Sequence, residues 1–304
     1  MNAISGLIKA PRGLRLGALL SVRLAAGYAA AAPAAGDSGS PGRPCEVTVR
    51  RDGRRFRAVL IKIPAAGGGV QPIFLVEPKR PSMPRRAFLL FGGGGGRISH
   101  GVRLEKGRYR LSRNFLMRIV KEIADAGIAA VPVGMWSGLT DSTGDDFRLG
   151  PDHAKDMAAA VRALAARGYR EVFIVGTSRG TLDAANLALN LKDPRVKGVI
   201  FTSTMADYDG LIALPVEKID LPVLFVHNLY DECRVTTYDG ARELYARMKN
   251  SPQRRFVTVK AAAIAEGREC GAIAAHGFRD IEAATARILT DWAKGRNIPS
   301  EISR

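Results

Sequence analysis

The chain offers little from which a membrane span, a disulfide scaffold or an aromatic nucleic-acid platform could be built. No run of eighteen or more uncharged apolar residues occurs in its 304 residues, which argues against a spanning helix. Three cysteines are too few to staple a chain of this length, and the 46% apolar fraction is enough for a sizeable core without them, in one large domain or two at most. Acidic residues are the scarcer charge, 29 against 46 basic, for a net +17. Such a surplus suits an anionic partner. The basic residues are nevertheless scattered, with neither a dense Lys/Arg run nor aromatic interleaving, so a solvated basic surface is favoured over a nucleic-acid site. No internal repeat is visible.

Residues 1–34 read as a secretory signal peptide. Lys9, Arg12 and Arg15 form a basic start, Leu16-Gly17-Ala18-Leu19-Leu20 opens an apolar and alanine-rich stretch, and Ala32-Pro33-Ala34 supplies a small-x-small cleavage site before Ala35. Arg23 interrupts this stretch, and an alanine-rich disordered leader is the competing reading. Export would place the protein in the periplasm or outside the cell. Residues 35–45, rich in Gly, Pro and Ser, read as a flexible linker, leaving 46–304 as one domain.

Within that domain, short β-rich runs at Glu46–Arg50, Phe56–Ile63 and Ile73–Val76 precede a regular alternation. The apolar runs Ala87–Phe91, Ile128–Val133, Val172–Val175, Val199–Phe201, Val223–Val226 and Phe256–Val259 read as strands covered on both faces. Between them lie helical patterns. One starts at Ser112 as N-cap and ends at Gly127, one is capped by Asp152, one runs from Thr181 to Leu191, and the last carries Ile281, Ile288 and Trp292 on one face. This alternation predicts an α/β fold, a mostly parallel central sheet with helices on both faces. Only about twenty residues separate the strands near Phe201 and Leu224, which leaves room for a minimal lid or none.

The chemistry centres on Gly176-Thr177-Ser178-Arg179-Gly180, set between a buried strand and a helix. A Gly-x-Ser-x-Gly turn at that junction lifts the serine hydroxyl above the sheet edge. A serine nucleophile needs a base and a carboxylate to orient it, in the chain order Ser, Asp/Glu, His for this geometry. Asp231 follows the strand Val223–Val226 by a few residues, and His276 lies between the last strand and the last helix. Asp207 and Asp209 compete with Asp231. His153, in the first turn of a helix, reads as a surface residue, and His227 as a packing or orienting one. For the developing oxyanion, donors are expected from the Arg179 amide and from Gly92-Gly93-Gly94-Gly95-Gly96, with Gly93 or Gly94 favoured. A phosphate loop would end in Gly-Lys-Ser/Thr, whereas this run continues Arg97-Ile98-Ser99. The loop Met135–Gly150, with Trp136 and Tyr230, is a candidate pocket wall.

From Ala87 to Trp292 the chain resembles the α/β-hydrolase superfamily, in particular a bacterial exported group with little or no cap. The likeness rests on the Gly176–Gly180 turn, on Asp231-Glu232-Cys233-Arg234 and on Cys270 with His276-Gly277-Phe278. The glycine run also resembles the oxyanion loop of many esterases and lipases, without its leading histidine. The resemblance implies acyl-bond hydrolysis through a covalent acyl-enzyme at Ser178, with Asp231 and His276 completing the triad and no metal or organic cofactor. It also implies that Cys233 and Cys270 could tie the two catalytic loops together, although two buried thiols fit the sequence as well. Carboxylester hydrolysis of a small or polymeric acyl substrate is the leading expectation, and an anionic one would suit the charge. Peptidase or acyltransferase chemistry, or a non-catalytic binding protein on the same fold, are the alternatives.

Overall fold

The computed structural model describes residues 45–304 apart from 52–53, 95–101, 106–107, 140–142, 208–209 and 263–267. The expected signal peptide (1–34) and all of the expected linker but Cys45 lie outside the described residues. Cys45, exposed and free, opens the first strand instead of ending a linker.

Seven strands make the central sheet: β4 (Arg86–Phe91), β7 (Ala129–Pro132), β8 (Glu171–Ser178), β9 (Val196–Thr204), β10 (Val223–Asn228), β11 (Arg254–Lys260) and β12 (Glu301–Ser303). Their order is β12-β11-β10-β9-β8-β4-β7, and every neighbouring pair is parallel. Strands covered on both faces must be apolar on both, and β8 shows this residue by residue. Val172 and Ile174 enter one hydrophobic cluster, Phe173 and Val175 the other. The first cluster is closed by α4 (Pro151–Ala165), α5 (Gly180–Asn190) and α6 (Tyr238–Arg247). The second is closed by α1 (Phe115–Arg118), α2 (Val120–Asp125) and α7 (Glu282–Ala293). This is the α/β-hydrolase fold.

A second sheet precedes and flanks the first. It contains β1 (Cys45–Arg51), β2 (Arg54–Pro64), β3 (Val70–Leu75) and the hairpin β5 (Val102–Glu105) and β6 (Arg108–Leu111), in the order β3-β2-β1-β6-β5. The early strands pair antiparallel, as their spacing suggests. Isolated antiparallel bridges, Ile73 to Val133 and Val76 to Ala130, join β3 to the β7 region of the central sheet.

Several local expectations are corrected. The predicted helix from Ser112 is two short helices, and the cap is Asn114, whose side chain accepts from the Leu116 amide. The cap of α4 is Gly150, with Pro151 at the first helical position and Asp152 inside the first turn. The expected loop Met135–Gly150 contains α3 (Asp145–Leu149). The hairpin β5–β6, helix α6 and the three-residue β12 are absent from the sequence reading; strands of three or four residues are too short to establish a period. Among the described residues between β9 and β10 stand two 3₁₀ turns, 211–213 and 216–218, and no lid domain.

Candidate active site

The chain enters the central sheet at β4, turns to β7 on one side, then returns to β8 on the other. Ligands of open parallel sheets bind where the strand order reverses, outside the carboxyl ends of the strands. Here that crevice lies between the ends of β4 and β8, which are Gly92–Gly94 and Ser178.

Ser178 ends β8 with φ 53°, a left-handed conformation that a non-glycine residue adopts only when its surroundings enforce it. The enforcement is steric closeness on both sides. A Cβ on Gly176 would stand 2.4 Å from the Gly180 carbonyl oxygen. A Cβ on Gly93 would stand 2.5 Å from the Ser178 Cβ. Only glycine lets the β4 loop pass this close to the serine.

His276 occupies a 3₁₀ turn, 275–277, ahead of α7. Its Nδ1 lies 3.0 Å from Asp231 Oδ2 and 3.3 Å from Oδ1. A carboxylate only accepts, so Nδ1 is the donor, the tautomer that in a neutral ring leaves the lone pair on Nε2. Asp231 in turn accepts from the Cys233 amide at Oδ1 and from the Thr236 hydroxyl at Oδ2, both at 3.0 Å. Thr236 Oγ1 is also 3.0 Å from His276 Nδ1. Thr236 thus sits at the acid–base junction and had no signal beyond its place in the loop after Asp231.

The histidine loop is tied down from several directions. Ser203 Oγ donates to the His276 carbonyl at 2.6 Å, and Asn228 Nδ2 to the Ala275 carbonyl at 3.0 Å. Arg118 donates to the carbonyls of Ala272 and Gly277 and pairs with Glu282 at 2.9 Å. A Cys233–Cys270 disulfide joins the acid loop to the histidine loop across 37 positions. Asp231, Cys233 and His276 cluster tightly, but the Cys233 sulfur is committed to the disulfide and offers a metal no thiolate. Of the rival acids, Asp207 follows β9 and Asp209 lies outside the described residues.

A cavity of about 570 Å³ opens over these groups. Ser178, His276, Gly93 and Gly94 line it, with Arg113, Arg179 and Arg268 as the charged side chains among its described residues. Gly95 and Gly96 fall outside the described residues. Trp136 and Tyr230 do not line this cavity. Trp136 stacks on Phe147 and donates to the Gly68 carbonyl at 2.7 Å, while Tyr230 is about half exposed.

Two histidines differ in their fates. His153 is fully buried, against the expectation of a surface residue, because it faces inward on α4 beside Phe91 and Asp183. His227 is buried as expected of a packing residue. It stacks on Tyr238, and its Nε2–H reaches the Thr237 carbonyl at 3.4 Å. Burial, with His276 adding to it and Asp231 opposing, pushes its pKa down to about 4.

No family model matches the sequence, and no curated protein is detectably similar to it. Solved structures are similar in fold. A cold-adapted esterase from an Arctic intertidal metagenomic library aligns with TM-score 0.54 at 16% identity, over 80% of this chain and 96% of that one. An α/β serine hydrolase homologue from Coxiella burnetii aligns with TM-score 0.53 at 16% identity, over 76% and 95%. An esterase of Pyrococcus furiosus aligns with TM-score 0.54 at 12% identity, over 78% and 92%. The α/β-hydrolase fold is therefore shared along nearly the whole length of these proteins.

Proposed function

We propose that the protein is a serine hydrolase of carboxylesters, with Ser178, His276 and Asp231 as its triad. The observation that carries this reading is the pairing of a strained Ser178 with a buried Asp231–His276 hydrogen bond on the wall of one cavity. In the reaction His276 Nε2 takes the Ser178 proton as Oγ bonds to the acyl carbon, and the carbonyl electrons move onto oxygen. Amides of Arg179 and the glycine loop hold that oxyanion. On collapse the alcohol departs with the proton from His276, leaving an acyl-enzyme. A water molecule, deprotonated by the same imidazole, then releases the acid and restores the serine. Asp231 stabilises the imidazolium at both stages.

Arg113, Arg179 and Arg268 give the cavity a positive wall, and no carboxylate is among its described lining residues. An ester with an anionic acyl or leaving group suits that wall. The disulfide is of the kind that persists in an oxidising compartment, which supports a periplasmic or secreted enzyme.

The test is incubation with a fluorophosphonate probe and location of the label by peptide mass. Labelling of Ser178 that vanishes in Ser178→Ala, together with ester turnover lost by at least about a thousandfold, is expected. A folded, oxidised protein that takes no label and turns over no ester would point instead to a binding protein on this fold.

A further inference from the structure

Behind the cavity, outside its wall, lies a buried charge cluster that the triad does not use. Arg148 on α3 and Asp183 on α5 are both almost completely inaccessible to solvent and form an ion pair. Asp183 Oδ1 lies 3.0 Å from His153 Nε2 on α4. Both terminal nitrogens of the Arg148 guanidinium also reach the glycine loop. Nη1 lies 3.4 Å from the Gly92 carbonyl oxygen, and Nη2 lies 3.2 Å from that of Gly94. Arg148 cannot drift, because Asn186 on α5 donates to its own carbonyl at 2.8 Å and to that of Gly150 at 3.1 Å.

A buried ion pair is a poor source of stability, since desolvation offsets most of its Coulomb gain. Its value here is geometric. Gly92, Gly93 and Gly94 have no side chains to lock their peptide planes, so those planes need another restraint. In a trans peptide the C=O and N–H point in opposite directions. Arg148 holds the Gly92 carbonyl on the interior side, so the N–H of the same peptide, that of Gly93, is turned toward the cavity. Gly93 is also the glycine whose Cα abuts Ser178.

We propose that Arg148, held by Asp183, is a positioning residue that sets the glycine-loop peptides and makes the Gly93 N–H the loop's oxyanion donor. This rests on the serine-hydrolase reading. The guanidinium fork is matched to two carbonyls and one carboxylate at once, which a single ammonium cannot satisfy.

The experiment compares wild type, Arg148→Lys and the paired Arg148→Met/Asp183→Asn, which removes both members of the ion pair. Active sites are first counted by burst titration, so that misfolded protein does not enter the rates. kcat and KM for an aryl ester are then measured, with the affinity for an aryl trifluoromethyl ketone, whose hemiketal places an oxyanion in the same position. Per titrated site, both variants should lose roughly tenfold or more in kcat with KM within about threefold, and lose ketone affinity by a similar factor. Arg148→Lys, which keeps the buried charge, supplies the measurement if the paired variant does not fold. Variants with wild-type kcat and ketone affinity per titrated site overturn the proposal while leaving the hydrolase reading intact. A wild type that turns over no ester overturns both.

Discussion

Ser178 is held in a backbone conformation that costs energy, and it is held there by neighbours that have no side chains. The converse holds at His227, a side chain that burial forces into one protonation state. With its pKa near 4 when folded and about 6.5 when free, the unfolded chain binds a proton between those values that the folded protein does not. Stability from this group is therefore complete above about pH 6.5 and is lost as pH falls toward 4. The difference amounts to about 2 kcal/mol between pH 7 and pH 4.5. Urea unfolding of wild type and His227→Gln at the two pH values checks this, the variant losing less on acidification. Equal losses would show that His227 is not the group responsible. His227 was legible as a packing residue because it ends an apolar strand. The burial of His153 is not legible, because one histidine in the first turn of a helix does not reveal which way that turn faces.

Among the elements, the acid loop after β10 and the histidine loop before α7 are joined by one covalent bond. The disulfide closes a 37-residue stretch, for which chain entropy gives about 4 kcal/mol of stabilisation. It also stands two residues after Asp231 and six before His276, so its loss should loosen the acid–base pair. Reduction, or the pair Cys233→Ser/Cys270→Ser, should lower Tm by several degrees and reduce kcat more than KM. Unchanged Tm and kcat after verified thiol release would remove this role. The long apolar strands and the Gly-x-Ser-x-Gly junction were readable because burial on both faces leaves continuous hydrophobic runs. The hairpin β5–β6 and helix α3 were not, because a four- or five-residue element can present too few residues to establish a period. Asp183 carried a faint signal, an acid within the otherwise apolar Leu182-Asp183-Ala184-Ala185 of a helix, but its partner Arg148 lies 35 positions upstream.

At the scale of the whole molecule the charge is lopsided, +17 over 304 residues, and three of the positive groups face the cavity. Arg179 is partly neutralised by Asp145 at 3.3 Å. An aryl ester with a carboxylate on its acyl chain should be turned over about tenfold better than its neutral isostere at low ionic strength, the advantage shrinking as salt screens it. Arg113→Gln and Arg268→Gln should each erode the preference. Equal kcat/KM for the two esters at all salt concentrations would dismiss an anionic substrate.

By itself the sequence determined the α/β architecture, the position of the strand–turn–helix junction at Ser178 and the chain order of the candidate triad. These follow from local rules, namely hydrophobic period, glycine at a crowded turn and loops placed at the carboxyl ends of strands. Only the tertiary structure decided which surfaces meet. It placed Thr236 against both Asp231 and His276, brought Arg118 to the histidine loop, and buried Arg148 with Asp183 and His153 behind the glycine run. Those contacts join residues distant in the chain through side chains whose type is unremarkable. A lone arginine in a short helix looks the same in sequence whether it reaches into solvent or grips two backbone carbonyls in the interior.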